Sequence, residues 1–339
     1  MGRPHVEWAV SLKPSEGNAK SLCVGGGYIY VVGYEGEPGR AKRQRWRIEK
    51  RRAENGELVK SWTEGTTGRD VLYSCLVLGD RLYVAGVSRR VWTLLLLDLD
   101  LNLGKKTGRN AGRPVSMASD GRYLYVAGNT GSEWRVERRG LADLAIKGFP
   151  YPPSYVLAPR PGYRWASYIG VEPVTGRLWL VGHEDLNNYG IGEWRVEILT
   201  PALSRVTTIN PGIEGFAWGA AFDGRGNAYI YGLGGVVMYN RYGERVAEAR
   251  GVSSAGAVYL EDKLYVFTDQ FRLLLFNPNL EKLEEVDLEP ELSKYIDMVG
   301  FPQVYAVASD GKTIYAVGGF MLSRTGAGSP HQFIFAISP

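Results

Sequence analysis

His183, Glu184 and Asp185 stand in direct succession in the run HEDLNNYG, with Asn187 and Asn188 close behind. An imidazole, two carboxylates and two amides on one loop could bind a divalent cation such as calcium, or supply acid–base groups. The chain has only three histidines, His5, His183 and His331, too few for a zinc centre of several imidazoles. It carries no Gly-x-Ser-x-Gly elbow and no phosphate-cradling P-loop. A second chemistry is suggested by aromatics that each stand just ahead of a small residue: Tyr73, Trp165, Trp218 and Tyr305. Flat rings gathered at one mouth would grip a peptide, a sugar or a planar ligand. Arg164 beside Trp165 would add an anion contact, and Asp185 with Asp269 would add carboxylates. A third candidate is the basic run GRAKRQRWRIEKRR, in which Arg43, Arg45 and Arg47 alternate onto one strand face. Such a stripe would track phosphates, unless Glu49, Glu54 and Glu57 offset it as an ordinary charged face.

The elements that must position these groups are strands. A six-residue signature returns seven times, as YIYVVG at 28–33, RLYVAG at 81–86, YLYVAG at 123–128, RLWLVG at 177–182, NAYIYG at 227–232, KLYVFT at 263–268 and TIYAVG at 313–318. Its third residue is always aromatic: Tyr30, Tyr83, Tyr125, Trp179, Tyr229, Tyr265 and Tyr315. Ahead of each signature lies a first strand that begins on a small residue, among them Ser21, Ser74, Ser116, Ser167 and Gly219. Asp-Gly pairs such as Asp120-Gly121 and Asp310-Gly311 suit the intervening hairpin turns. A third strand follows, and a fourth in most repeats. Strand repeats of roughly 40–50 residues mean a propeller or an array.

The chain is therefore expected to be all-β, a seven-bladed β-propeller with four antiparallel strands per blade and a single domain over 1–339. The last repeat runs out after its third strand, so the N-terminal segment HVEWAVSL is expected to pair in the last blade and close the ring. EPELSKYIDMV at 289–299 is the one place where a short helical turn is expected.

DGKTIYAVGG at 310–319 resembles the second strand of a kelch repeat, with its double glycine. The other six signatures have one Gly or none, most repeats lack the kelch fourth-strand Trp, and the Trp-Asp ending of WD40 repeats is missing. The resemblance implies β-propeller architecture and carries no functional residue with it. Propellers host enzymes and pure scaffolds alike.

Composition narrows the partners. A formal charge of +4 over 339 residues is modest, which makes nucleic acid the less favoured partner. Two cysteines, Cys23 and Cys75, make no disulfide framework; they read as buried thiols, or as a staple between blades if the source is a hyperthermophile. No stretch has the length of a membrane span and the N-terminus has no secretory signal, so a cytoplasmic monomer is expected. The expected function is a non-enzymatic scaffold that binds a protein or small molecule at the funnel face, without a cofactor. Its candidate residues are Tyr73, Arg164, Trp165, His183, Asp185, Trp218, Asp269 and Tyr305. The alternative is a metal-assisted, lactonase-like hydrolase at the funnel of blades 4 to 6, with calcium as the candidate ion.

Overall fold

A computed structural model describes residues 3–12, 18–36, 44–68, 70–131, 133–147, 154–157, 163–185, 192–297, 301–321 and 331–339. The N-terminal strand β1 (His5–Leu12) is followed by the first complete sheet, β2 (Asn18–Gly25), β3 (Tyr28–Glu35), β4 (Gln44–Arg52) and β5 (Leu58–Gly68). The second sheet is β6 (Val71–Leu78), β7 (Arg81–Ser88), β8 (Val91–Asp98) and β9 (Leu103–Ala111). The third is β10 (Arg113–Ser119), β11 (Tyr123–Thr130), β12 (Glu133–Gly140) and β13 (Ser154–Leu157). The fourth is β14 (Tyr163–Val171), β15 (Leu178–Asp185), β16 (Glu193–Leu199) and β17 (Arg205–Ile209). A six-stranded sheet follows, built of β18 (Ala217–Phe222), β19 (Ala228–Tyr239), β20 (Arg245–Leu260), β21 (Lys263–Thr268), β22 (Arg272–Phe276) and β23 (Lys282–Asp287). The one-turn helix α1 (Glu289–Leu292) lies inside the segment expected to hold it. The sixth sheet is β24 (Phe301–Ser309), β25 (Ile314–Met321) and β26 (His331–Ser338), with β1 antiparallel to β26 at its edge.

The chain is thus an all-β β-propeller with six blades, and the expectation of seven is corrected. The closure expected of a seven-bladed ring falls with that count; what β1 completes is the last of six sheets. The physical reason is a strand shared by the fifth and sixth repeats, and within the fifth repeat a continuous strand also joins its second and third. Only Leu233, Gly234 and Gly235 separate its second strand from its third, too few to break the ladder. Gly234 absorbs the bend at φ +111°, where a side chain would be strained, so the two run on as β19. The 16-residue β20 likewise runs from the fifth repeat into the sixth, and the two repeats share one sheet.

Two compact units make up the chain: Met1–Gly108 with Val266–Leu274 and Glu284–Pro339, and Arg109–Tyr265 with Leu275–Leu283. In each, the recurring aromatic explains itself. All seven are buried, and three hydroxyls donate to a carbonyl in the turn between third and fourth strands of the following repeat. These are Tyr30 to Leu99 (2.9 Å), Tyr125 to Pro201 (3.2 Å) and Tyr229 to Pro278 (3.0 Å). Third-strand tryptophans act similarly: Trp46 donates to the Val87 carbonyl at 2.9 Å and Trp194 to that of Leu233 at 3.1 Å.

The third strands hold a second recurrent device. Trp-Arg-aliphatic-Glu at 46–49, 134–137 and 194–197 turns its tryptophan into one apolar layer and its carboxylate to the other face. That face is covered too. Glu137 and Glu197 are fully buried, and Glu137 holds Arg135 at 3.0 Å and Arg139 at 2.9 Å. In the first repeat Glu49 bridges Arg47 (2.7 Å) and Arg51 (2.6 Å), while Arg45 and Arg47 both pair with Glu35. The alternating arginines of the basic run therefore form ion pairs within their own sheet, along β4 and across to β3; Arg43 lies outside the described residues. Cys23 on β2 and Cys75 on β6, read first as separate buried thiols, form a disulfide with Cα atoms 5.8 Å apart.

Candidate functional site

Six of the first strands carry a β-bulge at the same place, one residue beyond the pairing with the glycine that ends the signature. Bulges re-aim side chains. Those residues are Lys20, Tyr73 and Tyr305 in the first unit, and Val115, Ser167 and Trp218 in the second. The glycine is sterically required: a Cβ on Gly33 would lie 1.9 Å from the Asn18 carbonyl oxygen, and one on Gly232 would lie 2.1 Å from that of Phe216. Three of the four aromatics singled out from sequence, Tyr73, Trp218 and Tyr305, are thus bulge residues. Trp165 is not; in β14 the bulge falls two residues later, on Ser167.

In the second unit, three predicted residues come together. His183 lies opposite Trp165 in the β14–β15 ladder. Its ring meets Phe216 edge to face at 4.6 Å and Trp218 at 6.3 Å, and Phe216 stacks on Trp218 at 5.4 Å. His183 is buried, while Trp218 is 42% exposed. The Arg113 guanidinium lies 4.9 Å above Trp165. Asp185 is buried two residues along from His183, and Glu184 is held by Arg195 at 3.0 Å. Among the described residues no group of three or more His, Cys, Asp or Glu is placed to hold a metal ion. Asn187 and Asn188 lie outside those residues, as does the Arg164 side chain, whose backbone pairs with Glu184.

Burial drives the His183 pKa down to about 4, against a smaller upward pull from the Asp185 carboxylate. The folded value lies below the unfolded one, near 6.5, so the unfolded chain binds the proton first. The stability contributed by neutral His183 is complete above pH 6.5 and is lost as the pH falls from there to about 4, by roughly 3 kcal/mol. Denaturant unfolding from pH 7.5 to 4 should show His183→Gln losing less stability than the wild type over that window. Parallel curves for the two proteins would contradict this assignment.

The first unit gathers a different set. Lys20 Nζ lies 5.8 Å from the Tyr34 ring and 5.9 Å from that of Tyr305, a lysine between two tyrosines that sequence reasoning missed. The available signal was position, since Lys20 precedes Ser21 as Tyr73 precedes Ser74. Burial raises the Tyr34 hydroxyl pKa, and proximity to Tyr73 adds to it. Asp269 is exposed in the turn after β21. Asp70, fully buried, accepts the Arg89 backbone N–H at 3.1 Å and so ties down the β7–β8 turn.

No family model matches the chain. No curated protein matches it either. The kelch likeness of 310–319 is left without support. Among solved structures, the chain aligns with one in "Crystal Structure of Mitotic Checkpoint Complex" at TM-score 0.68 and 12% identity, covering 99% of this chain and 92% of that one. At that identity the likeness shows the β-propeller fold alone, and with 815 matching chains the fold selects no activity. No helix among the described residues is long and apolar enough to cross a membrane.

Proposed function

We propose that this protein is a non-catalytic interaction scaffold that docks a protein partner through Trp218 and the rings behind it. The observation that carries the proposal is the exposure of Trp218, 42%, on a bulge that Phe216 and His183 brace from within. An indole already fixed in place loses little side-chain freedom on binding, which is the character of an interface anchor. Leu233, 43% exposed, donates its backbone N–H to Phe216 and extends the apolar surface next to it. The matched propeller chain comes from the structure of a complex, the Mitotic Checkpoint Complex, which agrees with a scaffold role.

Truncating an anchor typically costs about 2 kcal/mol or more, so Trp218→Ala should recover at least about tenfold less partner in quantitative affinity capture. Its thermal unfolding should match the wild type. Equal recovery of the same partners by both proteins would overturn the proposal.

A further inference from the structure

A second site lies away from the bulges, where three turns of the second unit meet. A solvent-open cavity of about 630 Å³ is lined by Val174, Arg225, Asn227, Asn240, Arg241 and Tyr242, with the Gly224 backbone. That volume falls within the range of small-molecule sites.

Each turn is locked by its own acid or amide. The buried Glu172 carboxylate accepts the Val174 N–H at 2.6 Å and the Thr175 N–H at 2.8 Å. The buried Asp223 carboxylate accepts from the Arg225 and Asn227 N–H groups at 2.9 and 2.8 Å, and from the Asn227 side-chain amide at 2.7 Å. Asn240 accepts the Tyr242 N–H at 3.0 Å. These acceptors are engaged with turn donors. Among the described residues no carboxylate forms a salt bridge with Arg225, Arg241 or the neighbouring Arg177, whose Nη1 donates to the Arg241 carbonyl at 3.4 Å.

The Arg241 guanidinium lies 5.2 Å over the Tyr242 ring, which is 59% exposed, and Val174 is 48% exposed. The cavity therefore offers guanidinium forks suited to a phosphate beside an exposed flat surface suited to stacking.

We propose that this cavity binds a small organic phosphate that carries a flat ring, a nucleoside monophosphate being the simplest of the class. The site is independent of the Trp218 surface.

Calorimetric titration of the full chain with AMP, adenosine and inorganic phosphate tests it. AMP should saturate, with adenosine and phosphate each at least about tenfold weaker, because each supplies half of the contacts. Arg225→Ala with Arg241→Ala should weaken AMP by about tenfold or more while thermal unfolding stays unchanged, both arginines being outside the core. Three results would each overturn the proposal: no saturation by AMP below about 10 mM, equal affinity in the double variant, or phosphate binding as tightly as AMP.

Discussion

Replacing Cys23 and Cys75 together by alanine is expected to lower the unfolding free energy by about 4 kcal/mol, the chain-entropy value for a cross-link across 52 residues. The two residues stand on the first strands of successive sheets, both buried in one apolar cluster with Tyr30, Trp46 and Val84. Alanine leaves that cluster apolar, so the loss reports the missing cross-link more than a misplaced polar group. Reduction of the wild-type chain should reproduce most of the effect, since the covalent sequence is then unchanged. The comparison is a guanidinium unfolding series on oxidised wild type, reduced wild type and the double variant. Free energies agreeing within about 1 kcal/mol would mean that the bond contributes no constraint on the unfolded chain.

Glu197→Ala should cost a similar amount, roughly 3–5 kcal/mol, because it breaks a buried ion pair by removing one partner. The Glu197 carboxylate is fully buried and accepts from Arg195 Nε at 2.7 Å, from the Thr208 hydroxyl at 2.9 Å and from the Tyr155 hydroxyl at 3.2 Å. Its loss strands two hydroxyls and leaves the buried Arg195 guanidinium with Glu184 alone. Glu197→Gln keeps the shape and an acceptor, and should lose less than the alanine variant. Replacing Arg195 and Glu197 together by Met and Leu removes both charges and should recover much of the loss, since an apolar pair of similar volume often does as well as a buried ion pair. An alanine variant within about 1 kcal/mol of the wild type would show that the network adds nothing.

These two devices differ in how far the sequence discloses them. The recurring aromatic and the closing glycine of the signature are short patterns that return from repeat to repeat because each meets the same surroundings there: a turn of the following repeat that accepts from the hydroxyl, and a bulge that leaves no room for a Cβ. Repeats are therefore readable as text. The number of sheets is not, because it depended on whether the chain breaks between the last strand of the fifth repeat and the first of the sixth or runs on through both, as it does in β20. Alternation along Arg47, Glu49 and Arg51 reveals two faces but not that both are covered, so ion pairs within the blade read as a solvent-facing stripe. The pairing of Cys23 with Cys75 depends on the approach of two strands far apart in the chain. Of the candidate site, His183, Phe216 and Trp218 converge because Trp218 sits on the bulge of β18, the first strand of the sheet that follows the one holding His183. The arginine-lined cavity gave no signal at all, since its three turns belong to separate hairpins, Val174 lying 50 residues ahead of Gly224 and Asn240 13 residues beyond Asn227.

Photo-crosslinking from position 218 tests the interaction account most directly. A photoreactive phenylalanine analogue placed at Trp218, with a second placed at the exposed Leu58 on β5 as control, is to be irradiated in an extract of the source cells. The account predicts a discrete adduct from position 218 that unlabelled wild-type protein competes away and Trp218→Ala protein does not, with nothing comparable from position 58. An identical adduct pattern from both positions, or none from 218, would contradict it.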